Sequence, residues 1–125
     1  MEPIQFTVPV YGEGVFATLE NKGGKLYGYY HRHSELQVTC VLQGKGTILV
    51  GNIAQSFQQG DVFILRPDEP HMFTKYDEPN LPNEDIHLVH VFVHLERMEK
   101  LFVIPEFDQV GSYLIGLDAS KKIRA

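Results

Sequence analysis

Hydrophobic and polar residues alternate with a period of two along most of the chain, and this pattern persists to about residue 95. Such alternation is typical of strands, whose successive side chains point to opposite faces of a sheet. The pattern predicts strands at Ile4–Val8, Gly14–Glu20, Lys25–His31, Glu35–Gln43, Thr47–Val50, Ile53–Phe57, Asp61–Arg66, His71–Lys75 and Ile86–Leu95. Short strands at close, regular spacing favour a β-sandwich or a barrel.

Turn residues separate the predicted strands. Turns that favour a positive φ are predicted at Gly23-Gly24, Gly44-Lys45-Gly46, Gly51-Asn52 and Gly60. The stretch 76–85, YDEPNLPNED, combines acidic residues with two prolines, which predicts an exposed and mobile loop. We interpret this loop as a candidate flap over the mouth of a cavity.

Helical spacing replaces the alternation after about residue 95. Pro105 and Glu106 suit the first turn of a helix, and apolar residues then recur at Phe107, Val110, Leu114 and Leu117. Basic residues follow where the negative end of the helix dipole would lie, at Lys121, Lys122 and Arg124. We predict a barrel over about residues 1–95 and a helical tail over about 96–122, whose apolar stripe covers the barrel or forms a dimer contact.

Composition narrows the class of protein. A chain of 125 residues and 14.2 kDa with 43% apolar residues has the size of one domain with one core. Its net charge is −5 and no basic run occurs, so this segment is not expected to bind a nucleic-acid backbone by itself. Cys40 has no cysteine partner, and no signal peptide or membrane span is suggested. These features predict a protein of the reducing cytoplasm.

The two faces of the predicted strand 35–43 differ in polarity. One face carries Glu35, Gln37, Thr39 and Val41, and the other carries Leu36, Val38, Cys40 and Leu42. Periodicity leaves two interpretations, because the polar face either meets water or lines an interior while the terminal helix or a second subunit covers the apolar face. Leu36, Val38 and Leu42 are expected to be buried.

The strand 86–95 presents a similar choice. His90, Phe92 and His94 share one face, and Val89, Val91, Val93 and Leu95 share the other. Several valines in register indicate burial, so the favoured interpretation places the valine face in the core and exposes His90 and His94. In the alternative, Phe92 points inward and His90 joins the cavity.

The candidate chemistry lies in His31, His33 and Gln37, which share one parity and therefore one face of an extended strand. His71 follows a second hydrophobic run, and a closed sheet would bring it to the same cavity. Imidazole nitrogens are common metal ligands, whereas an amide is a poor ligand but a good two-way hydrogen-bonding group for hydroxyls. Tyr29 lies on the same face and could add an aromatic wall to the pocket.

No other catalytic pattern is visible in the sequence. Ser34 beside His33 does not form a triad, because adjacent strand residues face opposite sides. No glycine-rich phosphate loop is present, and Asp61 after Gly60 is best interpreted as turn chemistry. The residues therefore favour binding over reaction.

Two segments, HRHSELQVTCVLQGKG and GDVFILRPDEPH, resemble the two sequence motifs of cupins. In the first motif His31, His33 and Gly44 match, and Gln37 stands where the family has an acid. Gly60 and His71 match the second motif at the family's separation. The chain departs from the second motif at Pro67, one position late, at Asp68, which replaces its second glycine, and at Lys75, which replaces its usual asparagine. These departures weaken the case for a metal and do not affect the expectation for the fold.

More narrowly, the ordered segments GKGTILVG, GDVFILRPDEPH and LFVIPEF resemble the N-terminal sensor domain of AraC-type transcription regulators. The resemblance implies an all-β cupin jelly roll, or double-stranded β-helix, with a C-terminal α-helix. It implies an effector-binding and dimerisation domain that senses a small polar ligand such as a sugar and performs no reaction. The expected ligand-binding residues are His31, His33, Gln37, His71 and Tyr29. DNA would be contacted only through a helix-turn-helix module that these residues do not include, and the expected assembly is a homodimer.

A second hypothesis belongs to a different class of protein. Cupins also include small metal-dependent enzymes such as oxygenases and isomerases, in which His31, His33 and His71 would be the metal ligands. The sensor hypothesis requires no cofactor, whereas the enzyme hypothesis requires a divalent metal. The glutamine at the position of the acid favours the sensor.

Overall fold

The computed structural model describes residues 2–5, 14–22, 26, 29–75, 85–99, 103–117 and 119–124. Strands and short helices follow one another along the chain. The strands are β1 (Ile4–Gln5), β2 (Phe16–Asn21), β3 (His31–Arg32), β4 (Leu36–Gln43), β5 (Lys45–Val50), β6 (Ile53–Gln58), β7 (Val62–Leu65), β8 (His71–Lys75), β9 (His87–Val93) and β10 (Lys121–Ile123). The helices are α1 (Leu95–Met98) and α2 (Pro105–Ile115), both between β9 and β10.

The described strands form two sheets of five strands each. One has the order β1-β3-β8-β5-β6 and the other has the order β10-β7-β4-β9-β2. Neighbouring strands are antiparallel except for β1 and β3, which are parallel. Most neighbours in a sheet are not consecutive in sequence, so the chain crosses repeatedly between the sheets. The predicted all-β architecture with a following helix is confirmed.

Two glycines are required by the way these strands meet. Gly44 turns the chain between β4 and β5 with a φ of 97°, a conformation that L side chains rarely adopt. Gly46 lies within β5, where an added Cβ would approach the carbonyl oxygen of Thr74 and the ring of Phe57. The turn prediction is confirmed at Gly44 and is wrong for Lys45 and Gly46, which belong to β5, where the second glycine permits close packing between strands.

Apolar residues are buried on both sides of the second sheet. The barrel interior holds a cluster formed by Val41, Ile48, Phe57, Phe63, Leu65, Phe73, Ile86 and Leu88. On the outer side, Leu36, Ile64, Val93 and Met98 form a second cluster, against which Val38, Leu114 and Leu117 pack. The helical segment after β9 therefore covers the apolar face of β4, as one of the two interpretations predicted.

The burial prediction for that face is correct at one end of β4 and wrong at the other. Leu36 is fully buried and Val38 is half-buried under the helical cover, whereas Leu42 is 48% exposed. Leu42 lies near the opposite end of the strand and belongs to neither buried cluster. The cover extends over only part of the sheet.

The favoured interpretation of the strand 86–95 is wrong. His90 and Phe92 are buried at 5% and 6% exposure. In the sheet register, His90 lies opposite Thr39 and Phe92 lies opposite Gln37, so both point into the interior with the polar face of β4. The valine face is covered by the helices on the outside, which is why valines in register did not identify the inner face.

The chain returns to the barrel after α2. The helical tail was predicted to run to about residue 122, but its last helix ends at Ile115. Residues 121–123 instead form β10, which pairs with β7. The basic residues expected beside the helix end therefore lie on or next to a strand.

Two predicted segments lie outside the described residues. They are the loop at 76–85, except for Asp85, and the Gly23-Gly24 turn. Among the helices that the structure describes, none has the length and apolar character needed to cross a membrane.

Asp61 anchors this C-terminal strand. Its carboxylate is 1% exposed and accepts a hydrogen bond from the backbone N–H of Gln58 at 3.0 Å, which is the predicted turn chemistry. Lys122 Nζ and Arg124 Nε each lie 3.6 Å from a carboxylate oxygen of Asp61. The Lys122 ammonium also donates to the carbonyl oxygen of Ser56 at 2.7 Å. Asp61 thus has a second role, as the buried partner of two cations, that the sequence did not reveal.

Candidate functional site

Three histidines and a glutamine meet inside the barrel. His31 on β3 lies opposite His71 on β8 in the sheet register, while His33 lies in the segment that leads into β4 and Gln37 lies on β4 itself. The exposed fractions are 8% for His31, 1% for His33, 2% for Gln37 and 1% for His71. The polar face of β4 therefore points into the interior and not to solvent. We call these four residues the triad cluster, and the three histidines the triad.

The triad rings are close enough to share one ligand atom. The ring centroids of His31 and His71 are 4.4 Å apart, and that of His33 is 5.0 Å from His71 and 5.9 Å from His31. One ring nitrogen of each lies within 4.8 Å of those of the other two. The structure thus brings together four of the five predicted site residues.

Backbone carbonyls determine which nitrogen of each triad ring carries the proton. The Nδ1 atoms of His31, His33 and His71 lie 2.7, 3.0 and 2.8 Å from the carbonyl oxygens of Tyr29, Glu35 and Glu69. A carbonyl oxygen only accepts, so each Nδ1 must be the N–H donor. In a neutral ring Nε2 then carries the lone pair, as in histidines that bind metals.

Gln37 lies between two of these rings. Its Oε1 is 2.8 Å from Nε2 of His33 and 3.0 Å from Nε2 of His71. When both rings are neutral with the proton on Nδ1, this brings three lone-pair acceptors together. A cation, or a hydroxyl that donates its proton, stabilises such a set of acceptors. The chemistry of the triad cluster therefore fits either a divalent metal or a hydroxyl-bearing ligand.

A buried hydrogen-bond chain extends from Gln37 to the edge of the sheet. Gln37 Nε2 donates to Thr39 Oγ1 at 2.8 Å and lies 3.1 Å from His90 Nδ1, which is itself 2.8 Å from Thr39 Oγ1. His90 Nε2 lies 2.6 Å from Oδ1 of Asn21 on β2. Asn21 was not predicted as a site residue, and His90 was expected to be exposed. The shared parity of His90 and Phe92 was the available signal.

Burial favours the neutral forms of His71, His90 and His31. Desolvation lowers the pKa of His71 from about 6.5 to about 3, although the carbonyl of Glu69 raises it in part. Desolvation, together with repulsion from His31 and His33, lowers the pKa of His90 to about 4. The pKa of His31 is also lowered, mainly by desolvation. At neutral pH the cluster presents lone pairs and N–H groups, without positive charge at His71 and His90.

Among the residues that the structure describes, Phe92 borders the triad cluster with an aromatic ring. The Phe92 ring packs edge-on against His33, with the centroids 5.2 Å apart. Tyr29 was predicted to form part of the wall, but its side chain is 59% exposed, and it reaches the cluster through its backbone carbonyl. The next residue, Tyr30, is buried and donates its hydroxyl to the carbonyl of Gly51. Phe92 therefore supplies the apolar surface beside the triad.

Two open cavities lie elsewhere on the barrel. One, of about 390 Å³, is lined by Ser34, Glu35, Pro67, His94, Leu95 and Glu96. The other, of about 450 Å³, lies at the far end of β4 and is lined by Gln43, Gly44, Lys45, Gln59 and Asp85. The second is a competing location for a polar ligand, and its Gln43 offers the same amide chemistry as Gln37.

Solved structures with a similar fold include cupin proteins. A cupin 2 conserved barrel domain protein from Salinispora arenicola has a TM-score of 0.55 at 15% identity, covering 84% of this chain and 79% of that chain. ToxT from Vibrio cholerae has a TM-score of 0.59 at 12% identity, and the similarity covers 89% of this chain but 43% of ToxT. A cupin protein from Bacteroides fragilis has a TM-score of 0.52 at 20% identity, covering 63% and 65%. These similarities confirm the predicted cupin barrel.

Sequence comparison identifies the family. No curated protein sequence matches this chain significantly. The family model described as AraC-like ligand binding domain, however, matches residues 14–90, which is more than half of the chain. The match includes all four residues of the triad cluster. The chain therefore belongs to the family of AraC-like ligand binding domains.

Proposed function

We propose that this chain is the effector-binding domain of an AraC-type transcription regulator and that it binds a small hydroxyl-rich ligand, a sugar or a sugar derivative, at the triad cluster. The domain acts in the cytoplasm, performs no reaction, and passes the binding event to a DNA-binding module. Its net charge of −5 supports a division of labour in which another module meets the DNA.

The observation that carries this proposal is the buried row of neutral donors and acceptors. Triad nitrogens, the Gln37 amide and the apolar ring of Phe92 face one another inside the barrel. Sugar hydroxyls both donate and accept, and ligand pockets typically combine apolar walls with a few convergent polar groups. A hydroxyl that donates between His33 and His71 would satisfy lone pairs that are otherwise crowded around one amide oxygen.

A thermal-shift screen of mono- and oligosaccharides tests this assignment. We expect at least one saccharide to raise the melting temperature of the natural protein, because binding to the folded state alone stabilises it. The rise should disappear in the variant that carries His33→Ala and Gln37→Ala. The matched control carries His87→Ala and Gln43→Ala, the same residue types paired across β9 and β4 at the other end of the barrel.

The screen contradicts the pocket assignment in two cases. One is that no saccharide stabilises the natural protein, and the other is that a saccharide stabilises the cluster variant as much as the natural protein. Stabilisation that is lost only in the His87 and Gln43 variant would place the ligand at the cavity beside Gln43.

We also propose a homodimer that forms through α2. Leu114 and Leu117 pack on the chain's own barrel, so these two of the four predicted contacts are already used. Val110, Tyr113 and Ile115 remain 49%, 54% and 51% exposed on the helix. Apolar side chains that recur on one exposed helix are suited to a two-fold contact with a second copy.

The convergence of the triad supports a second candidate function, a metal-dependent cupin enzyme. His31, His33 and His71 would hold a divalent ion through their ring nitrogens, with Gln37 in the place of the acid. Such an ion would act as a Lewis acid that polarises an oxygen of the bound molecule. The amide is a weaker ligand than a carboxylate, so we expect purified protein to contain less than one metal per chain. One tightly held ion per chain in elemental analysis would favour the enzyme.

A further inference from the structure

The triad is connected to the edge strand β2 by groups that can all reverse their hydrogen bonds. The two ends of the Gln37 amide have nearly the same shape, and either can face the triad. The Thr39 hydroxyl rotates, and a neutral His90 carries one proton that can lie on either nitrogen. The side-chain amide of Asn21, the second amide in this chain of hydrogen bonds, can also be reversed. Asn21 is half-buried on the edge strand. The chain from Gln37 to Asn21 therefore has two self-consistent arrangements.

In one arrangement the Gln37 amide nitrogen faces the triad. With the two ends of the amide exchanged, it would donate one N–H to Nε2 of His33 and the other to Nε2 of His71, across the 2.8 and 3.0 Å that separate these nitrogens from Oε1 in the structure. The amide oxygen now faces Thr39 and His90, so it must accept from the Thr39 hydroxyl and from Nδ1–H of His90. His90 Nε2 consequently has a lone pair and accepts from the Asn21 amide nitrogen. In this arrangement Nε2 of His33, of His71 and of His90 would each accept a hydrogen bond without any ligand.

In the other arrangement, which the structure shows, the Gln37 oxygen faces the triad. The amide nitrogen donates to Thr39, the Thr39 hydroxyl donates to Nδ1 of His90, and Nε2–H of His90 donates to Asn21 Oδ1. This arrangement leaves acceptors converging at the triad, so a cation or a donating hydroxyl must be present to stabilise it. The two arrangements differ in the nitrogen of His90 that carries the proton.

We propose that His90 is a positioning residue whose tautomer is coupled to the occupancy of the triad through the orientation of the Gln37 amide. A ligand that attracts the Gln37 oxygen thereby changes the hydrogen bond that β2 receives at Asn21. The proposal rests on the proposed function only in placing the ligand at the triad, and it describes how that site is sensed at the edge of the barrel.

Packing prevents the His90 ring from turning over, so the two arrangements differ only in the positions of hydrogens and in the orientations of the Gln37 and Asn21 amides. The ring of His90 is buried with its centroid 5.5 Å from that of Phe73 and 6.3 Å from that of Phe92. The ring cannot turn over without displacing these neighbours, so its two nitrogens keep their positions. One proton leaves Nδ1 and one arrives at Nε2 by exchange with water, and the charge of His90 does not change.

The test uses nitrogen-15 NMR of the histidine rings of the whole chain, with Zn²⁺ alone as the probe. In metal-free protein we expect the His90 signals of an Nδ1–H ring. Saturation with Zn²⁺ should shift Nε2 of the triad and exchange the two His90 signals, giving an Nε2–H ring. A residue with only a structural role would keep one tautomer in both states.

The variant Gln37→Glu is the matched control. A carboxylate has no N–H to present, so it accepts from Nδ1–H of His90 whether or not the metal is bound. Zn²⁺ should bind this variant more tightly, and the His90 signals should not exchange. This control separates the coupling from any general effect of the metal charge.

Three outcomes would overturn the proposal. They are an Nε2–H ring at His90 in metal-free protein, Zn²⁺ binding at the triad that leaves the His90 signals unchanged, and failure of Zn²⁺ to bind the triad at all. Failure of the saccharide screen would remove the proposed ligand class and would leave these results unaffected, so the two proposals are tested separately.

Discussion

Lowering the pH from 7 to 5 in the presence of a chelator should reduce the free energy of unfolding by roughly 4 kcal/mol, summed over His71 and His90. Desolvation holds the pKa of His71 at about 3 and that of His90 at about 4 in the folded protein. Unfolding returns both rings to water and to a pKa near 6.5. The unfolded chain therefore binds protons in this pH range and the folded chain does not.

The sign of the effect follows from this difference in bound protons. The stabilisation is fully present above pH 6.5, and it is lost as the pH falls from 6.5 towards the folded pKa values of about 4 and about 3. Urea unfolding at a series of pH values measures it. A matched variant, His87→Gln, changes a more exposed histidine at the start of β9 and should retain the pH dependence. Unfolding free energies that are equal at pH 7 and pH 5 would show that the rings are accessible to water.

The substitution Asp61→Ala should destabilise the fold by roughly 2 kcal/mol, because it leaves the Lys122 ammonium, which is only 18% exposed, without its carboxylate partner. Asp61 is 1% exposed and is the shared partner of Lys122 and Arg124. Loss of the carboxylate also removes the acceptor of the Gln58 N–H at the turn. Because Lys122 and Arg124 belong to the C-terminal strand and its end, the attachment of β10 to β7 should weaken.

Chemical denaturation measures the free energy of unfolding of Asp61→Ala and of a control variant, Asp108→Ala. Asp108 is exposed in the first turn of α2, where its loss should cost only about 0.5 kcal/mol through the helix dipole. Similar losses for both variants would contradict the anchoring role of Asp61. Hydrogen exchange of the amides of residues 121–123 would report directly on the release of the strand.

Local patterns in the sequence predicted most of the fold. Period-two alternation gave β8 its observed bounds, and the turn at Gly44 has the positive φ that its glycine suggested. Pro105 begins α2 as predicted. The return of the chain as β10 was missed, because its three residues follow a helix and pair with a distant strand. Long-range pairing of so short a segment leaves no periodic signal.

The alternation of side chains along a strand identified most of the candidate site, but it did not show which face of a strand points into the barrel. His31, His33 and Gln37 share parity, and closure of the sheet was expected to bring His71 to them, so these four residues were identified correctly as neighbours. Tyr29 shares the same parity but is exposed. His90 was assigned to the wrong face because both faces of β9 are covered, one by the barrel interior and the other by the helices. Covered faces on both sides make valine content a poor guide to direction.

Ligand sensing at the triad cluster requires a ligand that contacts Gln37 inside the barrel. Isothermal titration calorimetry measures the affinity for the saccharide that gives the largest rise in melting temperature. We compare the natural chain with the variants Gln37→Leu and Gln43→Leu. We predict equal affinity for the natural chain and Gln43→Leu, and affinity about tenfold to a hundredfold weaker for Gln37→Leu, which loses one or two buried hydrogen bonds to the ligand. Equal affinity for Gln37→Leu and the natural chain would show that the ligand does not contact Gln37.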